Sequence, residues 1–420
     1  MNPVQPVFVR KEFSNLATMT TALLSAAALF SSDARAETDV YLLDVPDYDW
    51  YAGCFGTACG NLAGYWDRNG FPNFYTGPTS EGIAPLDSYN KNAGIRSMWA
   101  SRAGFDGRPA DKPGHIDDYW RFYSDLAYSY EDPSPDPYVT DRRREHTPDC
   151  IGDFIGLSQR KWKKLADECD GNIDGYSFVF WDRSGNPRIN FKPQAPDGSS
   201  VTDIPSGLRE WARFRGYDAD TISQLADVNS NSPGGMGFTY ADLKAEIDAG
   251  YPVLIYLQPE DVLHREIDGE RLNPHIHGML AYGYFIGDDG SQMVRLRSSW
   301  ADGSNYFQPW SSALWTSNNQ LRVRGVICFH PLPFVTGISR DAGTVTISWQ
   351  GPSARLHDAV TGDSHNIHSY VIERSTNLNP PRFEPVSGPV SGNAATFADC
   401  CEGTAFFRIR LVTAVIGTSR

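Results

Sequence analysis

Residues 48–70, YDWYAGCFGTACGNLAGYWDRNG, decide how this chain is read. Ala58, Leu62, Tyr65 and Trp66 recur at helical spacing, and Gly70 followed by Pro72 stops the pattern, so the segment predicts a helix that begins at Cys54. Gly53 lets the chain turn sharply into that helix. A thiol in the first turn feels the positive end of the peptide dipoles, and the free N–H groups there can hold a developing oxyanion. A neutral imidazole that takes the thiol proton would complete a nucleophile. The candidate lies far downstream: His277 heads the strand-like run HGMLAYGY. Cys59 falls past the first turn, away from the free N–H groups, and reads as a core or disulfide residue.

Working outward, VYLLDVP (residues 40–46) predicts a short strand ahead of the helix. Residues 76–235 are rich in Asp, Pro, Gly, Tyr and Trp with weak periodicity, and predict short helical pieces near residues 157–165 and 207–214. Regular signals return at Phe238. Thr239 caps a helix with Asp242 three residues on, Leu243 and Ile247 lie one turn apart, and Gly250 ends it. PVLIYL (252–257) predicts a buried strand, and the histidine strand, a turn at GDDG (287–290), MVRLRSSW (293–300) and QLRVRGVICF (320–329) follow. A helix followed by strands in quick succession describes an α+β domain in which the helix packs on an antiparallel sheet, bringing Cys54 towards His277. From about residue 334 TVTISW, YVIERS and AFFRIRLV alternate as sandwich strands.

GC-x-GTA followed by GYWDRNG resembles the GC-x-PTA segment that opens the catalytic helix of papain-like cysteine peptidases, of the bacterial kind related to double-glycine leader peptidases. AGYPVLIYL and then HGMLAYGY are similar to the family's "aGyPV" strand and its catalytic-histidine strand, where Gly-Tyr follows the histidine by six and seven residues; Gly283 and Tyr284 stand in that relation to His277. GHIDDYW and HTPDCIGDF resemble a further bacterial subgroup. The resemblance covers about residues 40–330 and implies a papain-like domain over residues 37–333. Residues 334–420 resemble a fibronectin type III-like β-sandwich, through TISW, YVIERS, FEPV and FRIRLV, for which spacer or attachment roles are the default.

The family resemblance implies Cys54 as nucleophile and His277 as general base and then acid, with a thioester acyl-enzyme released by water. A helix terminus and an imidazolium lower a thiol from about 8.5 to about 3.5–7.5, so a thiolate at neutral pH is expected. Two supporting groups differ from the family pattern. Where Asn or Asp orients the histidine before a Trp, RSSWADG has Ser298 and Ser299, so either Asp302 reaches back or a serine hydroxyl at Ser298 takes over. Where a Gln six residues before the cysteine serves the oxyanion, this chain has Tyr48; Trp50 carries an indole N–H that either donates there or packs. His275 falls on the same strand face as His277 and supports the site or borders the cleft.

Composition excludes other classes. With 51 Asp and Glu against 37 Lys and Arg, the formal charge is −14, which argues against nucleic acid and anionic membrane as partners. Arg10 and Lys11, the apolar residues 16–30 and the A-x-A site at Ala34–Ala36 read as an export signal over residues 1–36, with no membrane insertion after cleavage. The seven cysteines would meet an oxidising compartment, where Cys150 and Cys169 are the expected pair. No cofactor is expected. The expected partner is a peptide or protein substrate. Two other function classes stay open: a secreted pseudoenzyme that binds peptide or glycan, and a metal-dependent hydrolase built on His115, Asp117 and Asp118 with His146, Asp149 and Asp153.

Overall fold

A computed structural model describes residues 36–48, 54–74, 83–87, 151–155, 169–171, 178–194, 202–259, 277–299, 305–315, 321–398 and 404–413. In chain order the elements are β1 (Ala36–Leu42), α1 (Cys54–Arg68), α2 (Ile151–Phe154), β2 (Cys169–Gly171), β3 (Phe178–Phe180), β4 (Arg188–Ile189), α3 (Ile204–Phe214), β5 (Ala219–Leu225), α4 (Tyr240–Asp248), β6 (Val253–Pro259), β7 (His277–Gly287), β8 (Gln292–Arg297), β9 (Asn305–Pro309) and β10 (Leu321–Pro331). There follow β11 (Phe334–Asp341), β12 (Thr344–Gln350), β13 (Arg355–Asp358), β14 (Ser364–Asn366), β15 (His368–Ser375), β16 (Glu384–Pro385), β17 (Ala394–Ala398) and β18 (Phe406–Thr413). The fold is α+β and rich in antiparallel strands. No helix among the described residues is long and apolar enough to cross a membrane. Apart from Ala36, which opens β1, the expected export signal lies outside the described residues.

The main sheet runs β14-β13-β1-β7-β6-β10-β5-β4, with β8 on β7 and β9 on β8. β7 organises it. Its first half pairs with β6, with Leu257 opposite His277 and Tyr256 opposite Gly278, while its second half pairs with β1, with Tyr41 opposite Gly283. β8 takes its other edge after a turn in which Gly290 adopts φ +77°. The apolar run in β6 is buried from Val253 through Leu257, as a strand flanked on both sides requires.

Helix α1 is buried over almost its whole length, from Phe55 to Asp67, rather than along one flank. Its glycines explain this. A Cβ on Gly64 would lie 2.5 Å from the Tyr48 hydroxyl, so glycine is what lets the chain before the helix close over it. A helix surrounded by neighbours on all sides shows little amphipathic pattern. At its far end Tyr65 donates to the Gly250 carbonyl at 2.8 Å, and Gly70, at φ +107°, turns the chain away. The α1 axis therefore runs opposite to β6: its last turns lie at the start of that strand and its first turn at the end.

Caps set the other helices. Thr239 and Asp242 form a reciprocal capping box on α4, and Leu243 and Ile247 bury its inner face. Asp203 and Ser206 do the same for α3.

The C-terminal strands form two three-stranded sheets, β11-β12-β17 and β16-β15-β18, which meet over Val345, Ile347, Trp349, Tyr370 and Ile372. Residues 355–366 leave this sandwich. As the β13–β14 hairpin they join the main sheet, with Val40 of β1 opposite Asp358, and Leu356 and Ile367 belong to the main core. Arg355 reaches Asp44 at 2.6 Å, and Ser353 donates its N–H to the Asn69 carbonyl at 3.1 Å.

Candidate active site

Cys54 is the first residue of α1 and is partly exposed, in contrast to the turns that follow. The backbone N–H groups of Gly278, Phe55 and Cys54 itself lie near enough to its sulfur to favour the thiolate. Gly278 is the residue after His277, so the head of the helix and the head of β7 meet at this point. Glycine is required there: a Cβ on residue 278 would sit 2.6 Å from the Phe55 ring. That ring in turn packs at 4.9 Å on Tyr256, the register partner of Gly278.

His277 is 2% exposed, and its Nε2 lies 2.7 Å from the Ser298 carbonyl oxygen. A carbonyl can only accept, so Nε2 carries the proton and Nδ1 keeps its lone pair. A main-chain carbonyl, that of Ser298, thus holds one ring nitrogen of His277. Ser299, fully buried, has φ +64°, and its hydroxyl has no hydrogen-bond partner. Arg297 secures this corner: it donates to the Val45 carbonyl at 2.8 Å, reaches Asp47 at 3.4 Å, and stacks 4.6 Å from the Tyr282 ring.

Burial controls the electrostatics. It pushes the Cys54 thiol up to about 11, against the pull of the three N–H groups, and pushes His277 down to about 4, against the Ser298 carbonyl. Burial thus favours the neutral form of both groups, while the N–H groups at the head of α1 favour the thiolate. Cys54 and Cys59 are both free thiols, and Cys59 is buried in the core.

Tyr48 does not point at the cysteine. Its hydroxyl donates to the Pro85 carbonyl at 2.9 Å and lies over Gly64, ten residues along the helix from Cys54, or about 15 Å at 1.5 Å per residue. The N–H groups near the Cys54 sulfur are main-chain groups instead. Trp50, His275 and Asp302 lie outside the described residues, as do His115, Asp117, Asp118, His146, Asp149, Cys150, Cys400, Cys401 and the side chains of Asp153 and Cys169. Among the described residues no group of three His, Cys, Asp or Glu side chains could hold a metal.

Gln258, one residue beyond the partner of His277, was not singled out in the sequence. It is 2% exposed and both polar atoms of its carboxamide lack a partner. The available signal was a lone amide closing the otherwise apolar run PVLIYLQ.

No protein-family model matches the chain, and neither a curated protein nor a solved structure is found to be similar to it.

Proposed function

We propose that this protein is an exported, papain-like cysteine hydrolase, a peptidase, with a C-terminal fibronectin type III-like sandwich. The observation that carries the proposal is the meeting of a free, partly exposed helix-terminal thiol with the backbone of the residue after a histidine whose Nδ1 retains its lone pair.

Because both groups rest neutral, His277 acts as a general base during attack rather than as half of a standing ion pair. The Cys54 proton passes to Nδ1 as sulfur bonds to the substrate carbonyl carbon. The negative charge that develops on the carbonyl oxygen is met by main-chain N–H groups at the head of α1. The imidazolium then protonates the leaving amine, leaving a thioester. Water, deprotonated by the same imidazole, releases the acid and restores the thiol. The protonated ring stays hydrogen-bonded through Nε2 to the Ser298 carbonyl throughout.

A second reading, a secreted protein that binds peptide or glycan without cleaving it, draws support from the same neutral resting pair and from the commitment of Tyr48 elsewhere. Hydrolysis of a mixed fluorogenic peptide library separates the two. The peptidase reading expects turnover that is abolished in both Cys54→Ala and His277→Ala, with a thioester adduct on Cys54 trapped by acid quench and seen by mass spectrometry. Turnover that persists in Cys54→Ala, or retention of peptide by the wild type with no cleavage, refutes it.

A further inference from the structure

We infer that Ser299 is a positioning residue: its left-handed backbone turns the Ser298 carbonyl onto His277 and so selects the imidazole tautomer that can accept the Cys54 proton. The inference rests on the Cys54–His277 reading above and adds the element that makes His277 a base.

Three observations bear on it. The Ser298 carbonyl is 2.7 Å from Nε2, so the acceptor belongs to the peptide plane between residues 298 and 299. That plane is set by the ψ of Ser298 and the φ of Ser299, and the latter is +64°, a region that a non-glycine residue enters at a cost of about 1–2 kcal/mol. Finally, Ser299 is fully buried, yet its hydroxyl forms no hydrogen bond, so side-chain bonding does not account for the strained conformation. Returning φ to the ordinary region near −60° would rotate that plane by roughly 120° and carry the carbonyl off the ring. A buried imidazole without this acceptor could place its proton on either nitrogen, and the Nδ1–H form cannot take a proton from sulfur.

Among the described neighbours of His277, Cys54 heads α1 beside Gly278; Arg297, which pairs with Asp47, ends β8 next to Ser298; and from β6 the opposite residue is the apolar Leu257, followed by Gln258, whose carboxamide forms no hydrogen bond. The Ser298 carbonyl, 2.7 Å from Nε2, is the group whose acceptor-only chemistry fixes the proton on that nitrogen.

The test uses the full chain and reads the rate of iodoacetamide capture at Cys54 against pH, with urea unfolding alongside. Ser298→Ala keeps the carbonyl and should leave the profile within about twofold of wild type, and Ser299→Gly, which tolerates positive φ, should do the same. Ser299→Val, whose β-branched side chain opposes positive φ, should slow capture at neutral pH about tenfold, the equivalent of one lost hydrogen bond of about 1.4 kcal/mol. Loss in Ser298→Ala equal to that in Ser299→Val would overturn the inference in favour of the hydroxyl. Should Ser299→Val fail to fold, the wild-type tautomer decides: long-range ¹⁵N–¹H correlation, with His277 assigned by its loss in His277→Ala, should show a protonated Nε2, and a protonated Nδ1 would overturn the inference. Capture unchanged in His277→Ala would instead bring down the Cys54–His277 reading, a result distinct from either of these.

Discussion

Gly278→Ala tests whether the contact between the helix and the strand sets the geometry of the thiol. The added Cβ would stand 2.6 Å from Cδ1 and Cγ of Phe55 and 2.8 Å from Cδ2. Carbon atoms rest at about 3.5–4.0 Å, so ring and strand must separate by about 1 Å. Phe55 is fully buried, and Tyr256 holds its ring at 4.9 Å, so it has little room to yield. Such overpacking costs roughly 1–3 kcal/mol. Because Phe55 adjoins Cys54, the same movement draws the sulfur away from the Gly278 N–H that stabilises its anion. The expected outcome is a fall in urea unfolding free energy of about 2 kcal/mol, with slower alkylation of Cys54 at pH 9. Phe55→Leu, which vacates the collision, should be non-additive with Gly278→Ala by about 1 kcal/mol in the favourable direction. Additive losses, or a Gly278→Ala variant as stable and reactive as wild type, would refute the reasoning.

Two pH dependences follow. Alkylation of Cys54 should keep rising with pH towards about 11, where burial has placed the thiol, while Cys59 and Cys328, both buried and both pushed up by desolvation, stay silent in the native state; a plateau for Cys54 below pH 8 contradicts this. His368, 5% exposed, donates Nε2–H to the Ala249 carbonyl at 2.9 Å and accepts the Ala354 N–H at 3.1 Å, and burial pushes it down to about 4. Its folded pKa lies below its unfolded value, so the unfolded chain binds the proton first: the contribution is full above about pH 6.5 and is lost as pH falls towards 4. Between pH 6.5 and 5 that amounts to about 2 kcal/mol, read as the part of the wild-type decline in urea stability that His368→Gln removes, the decline from His277, pushed down to the same region, being common to both proteins. The comparison isolates this group from Asp203 and Asp248, whose carboxyls burial raises and which act with the opposite sign. Parallel declines in the two proteins would count against it.

Much of the frame was legible because it depends on local signals. The Thr239–Asp242 cap, the apolar run of β6 and the turn before β8 each carry their instruction within a few residues. β5 did not, because the residues it turns inward are Thr221 and Ser223, both 1% exposed, and Thr221 is matched by Arg209 from α3 only after folding. The buried character of α1 was hidden for the opposite reason: its glycines and alanines look neutral in sequence and acquire meaning only when Tyr48 and Phe55 close on their surroundings. At the site, the positions of Cys54 and His277 could be proposed from residue type and spacing. The acceptor for His277 could not, since a main-chain carbonyl is the same in every residue and only the backbone angle at Ser299 selects this one. The effect of burial on the thiol was not legible either, because β7, which packs on the head of α1, lies more than two hundred residues away in the chain.

The β13–β14 hairpin ties the order of synthesis to the order of assembly. β1 leaves the ribosome long before Arg355–Asp358, the strand that satisfies one of its edges. Until then the strand that flanks β7 presents unpaired N–H and C=O groups, a template for association with another chain. Closure of that edge therefore waits on the β13–β14 hairpin, and a chain halted before residue 355 would carry an open edge beside the strand that bears His277.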